Sequence, residues 1–238
     1  MTVSQFLALK RDPMFPKEEI VRMFEKFSSP DFRDATEPHR FLAGLNLPLY
    51  LTTNYDDFMV RALNYKYRDP KRVLCRWNQA LKNRATDDPT VFEQDPDFKP
   101  SVPSPVVFHL HGYVPIEESL VLTEDDYIDF LVNMASDPAL IPAQISRALT
   151  GTSLLFIGYR LADWNFRVLL RSFARFMERG QSHLNVAVMP LPTSRESTQE
   201  ALQEHLTRFY ENIDVRVYWG TVKEFIRDLE NYFQKFPD

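Results

Sequence analysis

Cysteine is almost absent. The 238 residues hold only Cys75, which excludes an intramolecular disulfide and a cysteine-built zinc ribbon. Glycine is scarce as well: Gly44, Gly112, Gly151, Gly158, Gly180 and Gly220 stand far apart, and no two could share a glycine-rich phosphate loop. No apolar run approaches the roughly 20 residues of a membrane helix, and the first residues carry no signal-peptide core. A cytoplasmic protein without membrane contact is therefore expected. Basic charge is not in excess, since 28 Lys and Arg face 33 Asp and Glu for a net charge of −5. That balance argues against nucleic acid as a partner. What remains is 44% hydrophobic and 26% charged, too apolar for disorder and long enough to bury a large core.

Short apolar runs alternate with helical patterns. Leu49–Thr52, Val106–Leu110, Leu154–Ile157, Leu184–Met189 and Val215–Trp219 read as strands. Several are apolar on both faces, as parallel strands covered by helices on each side must be. Trp164–Arg179 places apolar residues at helical spacing before Gly180, and Thr198–Asn212 would bury Leu202, Leu206 and Phe209. Val222–Phe236 aligns Val222, Phe225, Ile226, Leu229 and Phe233, with Thr221 and Glu224 spaced as a capping box. This alternation predicts an α/β fold, a doubly wound and mainly parallel Rossmann-like sheet in one domain spanning 1–238. Two regions depart from the rhythm. Residues 1–45 read as helical, with Pro16 opening Lys17–Phe27 and Ile20, Met23, Phe24 and Phe27 along one side. Residues 65–105 are charged and proline-rich, an elaborated connection anchored by Trp77.

Ligands of open α/β sheets sit beyond the carboxyl ends of the strands. The polar segments Thr52–Asp57, His111-Gly112, Gly158–Asn165 and Trp219–Thr221 all fall there. Each has a plainer reading. Asn54 could cap the following helix. His109 and His111 alternate onto one face, but a zinc site would want a third ligand that no second cluster offers. A histidine at a strand end often serves only as a structural hydrogen-bonding group, and tryptophans such as Trp219 are often core.

The order of these pieces resembles a known family. Thr52-Thr-Asn-Tyr-Asp56, Leu110-His-Gly112, Leu120–Tyr127, Phe156-Ile-Gly-Tyr159 with Asp163-Trp-Asn165, and Trp219–Phe225 together look like the sirtuin-like domain of bacterial antiphage NAD hydrolases. The resemblance covers about residues 1–236. It implies NAD as substrate, no metal, and cleavage to nicotinamide and ADP-ribose. Asn54 would hold the nicotinamide ribose or the attacking water, Asp56 would orient Asn54 or a ribose hydroxyl, and His111 would be the general base. Thr53, Tyr55, Gly112, Gly158, Tyr159, Asp163, Asn165, Trp219, Gly220 and Thr221 would line the dinucleotide. Control would come through a homo-oligomer or a partner protein. Asn54 and His111 are both expected past strand ends, outside the core.

The sequence departs from that pattern in one place. Related domains begin with a strand and a Gly-Ala-Gly-x-Ser type of loop at the centre of the sheet, and the scattered glycines offer no such loop. A degenerate, non-catalytic nucleotide- or partner-binding domain is thus an alternative. A protein deacylase like the true sirtuins is a weaker one, since their zinc module needs paired cysteines.

Overall fold

A computed structural model describes residues 2–150, 152–159, 184–191 and 196–236. The helix expected over Trp164–Arg179 lies outside them. The chain divides into two compact units, residues 1–145 and 146–238.

The first unit opens with helices α1 (Val3–Lys10), α2 (Phe15–Phe24) and α3 (Pro38–Gly44). Then follow β1 (Leu49–Thr52), α4 (Phe58–Tyr65), β2 (Lys71–Leu74), the short α5 (Gln79–Asn83) and α6 (Val91–Gln94), β3 (Val106–His109) and α7 (Glu124–Ser136). A last helix, α8 (Ala143–Leu149), runs across the division. The sheet is parallel, in the order β1-β3-β2. All four residues of β3 are buried, as a central strand covered on both faces requires. On one side Tyr50 and Val107 pack against Ala43 of α3 and Met59, Val60, Ala62 and Leu63 of α4.

Strand β2 lies inside residues 65–105, the region expected to be an elaborated connection. Its Lys71-Arg72 start hides the strand signal: it is an edge strand, where charged residues are favoured and only Val73 is fully buried. The N-terminal region carries α1, α2 and α3, and the buried residues of α2 are Pro16 and Lys17. Met23 and Phe27 are exposed.

The second unit holds β4 (Leu155–Ile157), β5 (Asn185–Met189), α9 (Glu196–Glu211), β6 (Val215–Trp219) and α10 (Val222–Lys235). Its sheet is also parallel, ordered β4-β5-β6. Ala187, Met189, Val215 and Tyr210 of α9 form its core. Buried Asn185 ties all three strands, accepting from Leu154 N at 3.0 Å and donating to the Asp214 carbonyl at 3.1 Å. Leu206 is buried as expected, whereas Leu202 and Phe209 stay exposed because the helix turns Tyr210 inward. In α10 the capping box forms, but only Ile226 is fully buried and Phe233 is exposed.

The fold is α/β with parallel strands flanked by helices. In place of one continuous ladder, the described residues form two three-stranded sheets. Among them β1 pairs only with β3, and β4 only with β5.

Candidate active site

Parallel pairing matches Thr52 with His109, so the chain leaves β1 and β3 side by side. Adjacent strands lie about 4.8 Å apart. Asn54 and His111 each stand two residues beyond that matched pair. The two exits are then laced together. Leu110 N donates to the Thr52 carbonyl at 2.8 Å and Val114 N to the Tyr55 carbonyl at 2.9 Å. The Tyr55 hydroxyl donates to the Val121 carbonyl at 2.6 Å, and Val121 N donates back to the His111 carbonyl at 2.9 Å. The sequence places Asn54 and His111 on one rim, and these bonds make it one structure.

The two side chains have opposite environments. Asn54 is exposed, and its amide finds no partner among the described residues, its backbone N–H being held by Thr52 Oγ1 at 3.0 Å. It does not cap α4. The N-cap position belongs to Asp57, which makes no side-chain cap bond, and one residue earlier Asp56 Oδ1 accepts from Phe58 N at 3.0 Å. Burial raises the Asp56 carboxyl above its ordinary range, and that hydrogen bond partly offsets the rise. Asp56 therefore reaches the helix start, and no bond to Asn54 is formed.

His111, expected outside the core, is only 3% exposed. Its ring is packed edge-on between Tyr127 and Phe130 of α7, with centroids at 5.2 and 4.9 Å. Nδ1 lies 3.3 Å from the Tyr127 hydroxyl, while Nε2 is buried without a hydrogen-bond partner among the described residues. Burial lowers its pKa from 6.5 to about 4, so the ring is neutral at pH 7. His109 is fully buried, and neither ring nitrogen makes a hydrogen bond of good geometry. Burial and then the nearby Arg72 guanidinium lower its pKa to about 4, opposed weakly by main chain at Asn54 and Gly112.

The loop after His111 is pinned from the connection that carries Trp77. The Trp77 indole donates to the Ser119 carbonyl at 2.8 Å, and Asn78 Nδ2 donates to the Glu118 carbonyl at 2.9 Å. That Ser119 carbonyl closes directly over Gly112, whose φ is +103°. A Cβ at Gly112 would overlap it and stand 2.8 Å from Leu120 N. Glycine is needed here for backbone packing, whatever the loop binds. Gly112→Ala combines left-handed strain with a backbone clash, and should cost about 4 kcal/mol or more of unfolding free energy. Urea unfolding checks this, and a loss under about 1 kcal/mol would mean that the loop simply moves aside.

Residues 48–217 match the family model described as the SIR2-like domain. The chain belongs to the SIR2-like domain family. It is also similar to three proteins named NAD(+) hydrolase ThsA. The protein from Bacillus cereus (strain MSX-D12) is 30% identical over 148 residues, 62% of this chain and 27% of that protein. Those from Acinetobacter baumannii (strain 532279) and Enterococcus faecium are each 26% identical, over 151 and 148 residues. The aligned part spans about a quarter of the length of each of these relatives.

Within this SIR2-like domain the first unit brings together Thr53, Asn54, Tyr55, Asp56, His111 and Gly112. The second unit carries the other described candidates. Gly158 has φ +87° and follows β4, with open space among the described residues where a Cβ would stand, and half-buried Tyr159 packs on the core of the second unit. Trp219 donates from Nε1 to Thr207 Oγ1 at 3.1 Å and packs on the same core. Gly220 N donates to the Met189 carbonyl at 2.9 Å. Thr221 is the N-cap of α10, its N–H and hydroxyl both engaged by Glu224. Asp163 and Asn165 lie outside the described residues. Sequence reasoning assigned no role to Tyr127, Phe130, Ser119 or Trp77 at the site. Tyr127 ends the Leu120–Tyr127 segment, so the signal was present without a role attached.

Proposed function

We propose that this SIR2-like domain hydrolyses NAD to nicotinamide and ADP-ribose, with Asn54 and His111 at the reacting centre. One observation carries the reading: an exposed amide and a neutral histidine, the amide and Nε2 both unengaged among the described residues, leave adjacent parallel strands and are laced into one loop pair. Similarity to proteins named NAD(+) hydrolase supports it. The Asn54 amide can donate and accept, so it can orient a water and a ribose hydroxyl together. His111 Nε2 then takes the proton released as that oxygen attacks the anomeric carbon and nicotinamide departs. Glycosidic cleavage builds oxocarbenium character, and orientation in a shielded pocket supplies much of what the reaction needs. Nε2 is buried, so the oxygen it serves must gain access to the ring. The ring's pKa then rises from about 4 toward its ordinary value as desolvation is relieved.

We infer a role in antiphage defence, in the cytoplasm, with activity gated by self-assembly or a partner chain. Asp56 acts indirectly, by fixing the start of α4 below Asn54. Thr53, Tyr55, Gly158, Tyr159, Asp163, Asn165, Trp219 and Gly220 are proposed around the dinucleotide, with Thr221 contributing as the cap of α10. The scattered glycines favour a second reading, in which the domain binds a nucleotide or partner without chemistry.

Nicotinamide release from NAD, measured by chromatography with and without an acetylated peptide, tests both. Release that needs no peptide is the expected result. Strict dependence on the peptide would mean deacylation, and no release in any assembly state would favour the non-catalytic reading.

A further inference from the structure

The geometry points to Tyr127 as a positioning residue for His111. We propose that its phenol oxygen accepts a hydrogen bond from His111 Nδ1–H, which holds the ring in the tautomer whose bare Nε2 can take a proton. A neutral imidazole has two tautomers, and the partner of one nitrogen selects between them. Tyr127 Oη lies 3.3 Å from Nδ1, and Nε2 is buried with no acceptor in reach among the described residues. Were Tyr127 the donor, the ring hydrogen would sit on Nε2 as an orphaned buried N–H. Buried donors are left orphaned more rarely than buried acceptors, so the hydrogen belongs on Nδ1. Phe130 closes the ring edge-on without offering a competing polar group.

The phenol is held in place by an unusual concentration of bonds at the start of α7. Thr123 and Asp126 form a capping box, and Asp126 Oδ2 also accepts from Leu122 N at 3.1 Å. Its Oδ1 accepts from Lys17 Nζ at 2.8 Å, a pair whose side chains are 6% and 14% exposed. Gln5 of α1 donates to Asp125 at 2.7 Å and accepts from its N–H at 3.1 Å. Ser4 adds a bond to the Leu122 carbonyl at 3.0 Å. Two N-terminal helices thus clasp the turn from which Tyr127 projects, which explains why Lys17 of α2 is buried while Met23 is not.

That Nε2 is the working atom rests on the hydrolase reading, whereas the tautomer does not. The test is a long-range proton–nitrogen spectrum of the full chain labelled with 15N-histidine, His111 being assigned by its loss in His111→Gln. The expected spectrum shows His111 protonated on Nδ1 and bare on Nε2. In Tyr127→Phe, which keeps the ring, His111 should move toward the other tautomer, and kcat should fall roughly 10- to 100-fold with KM nearly unchanged. Protonation of His111 on Nε2 in the unaltered chain would overturn the proposal. So would a Tyr127→Phe protein with unchanged His111 signals and unchanged kcat. A chain with the Nδ1–H tautomer but no nicotinamide release would uphold Tyr127 and contradict the hydrolase reading.

Discussion

Asn54→Ala should lower nicotinamide release by at least about 100-fold without unfolding the protein, and His111→Gln should do the same. Positioned acid–base and orienting groups typically contribute about 10²–10⁴-fold. The two variants need different designs because their settings differ. Asn54 is exposed and its amide has no partner among the described residues, so alanine removes a functional group and little packing. His111 is wedged between Tyr127 and Phe130, and alanine there would leave a cavity. Glutamine keeps most of the volume while removing the titratable ring. His109→Ala is the contrast. It empties a fully buried site next to Tyr113, and should cost a few kcal/mol of stability with a smaller loss of rate per folded molecule. Chromatographic nicotinamide release, normalised to the folded fraction by circular dichroism, measures all three. More than a tenth of the activity retained by folded Asn54→Ala or His111→Gln would remove that residue from the mechanism.

Mild acid should destabilise the protein well before its carboxylates titrate. His109 and His111 each have a folded pKa of about 4 against 6.5, chiefly because burial opposes the charged ring. In the unfolded chain these rings take protons below about pH 6.5, whereas in the fold they do so only near pH 4. The stability from keeping them neutral is therefore complete above pH 6.5 and is lost as pH falls from 6.5 to 4. Between pH 6.5 and 5 the expected loss is about 1.5 kcal/mol per ring, so about 3 kcal/mol together. That is much of the stability of an ordinary domain. Urea unfolding at successive pH values measures it, and His109→Leu should flatten the slope by roughly half. A curve level from pH 7 to pH 5 would mean that the rings take up protons without opening the fold.

Most strands were legible in the sequence because their apolar runs are short and bounded. Val106–His109 is the clearest case, buried at all four positions. Strand β2 was not legible, because an edge strand that starts Lys71-Arg72 satisfies its exposed side with charge and leaves too little alternation to read. Helix faces were legible only in part. Spacing placed Phe209 and Phe233 inward, yet spacing says nothing of which stripe finds a partner, and both are exposed. The candidate site was legible as a rim, through the rule that ligands meet parallel strands at their carboxyl ends. Its construction was not. The Trp77 indole reaches Ser119 across 42 residues, and Lys17 reaches Asp126 across 109. No local pattern encodes bonds of that range.

Joint occupation of Asn54 and His111 by one dinucleotide is the central claim, and titration with a non-hydrolysable NAD analogue tests it most directly. In a protein labelled at asparagine and histidine side chains, the Asn54 amide and the His111 ring should both shift, saturably, with one shared Kd. That Kd should be weaker than about 1 µM, because micromolar affinity needs about 8 kcal/mol and no paired glycines offer backbone donors to the pyrophosphate. Two different Kd values, or a shift of Asn54 with His111 unmoved at saturation, would contradict a shared site.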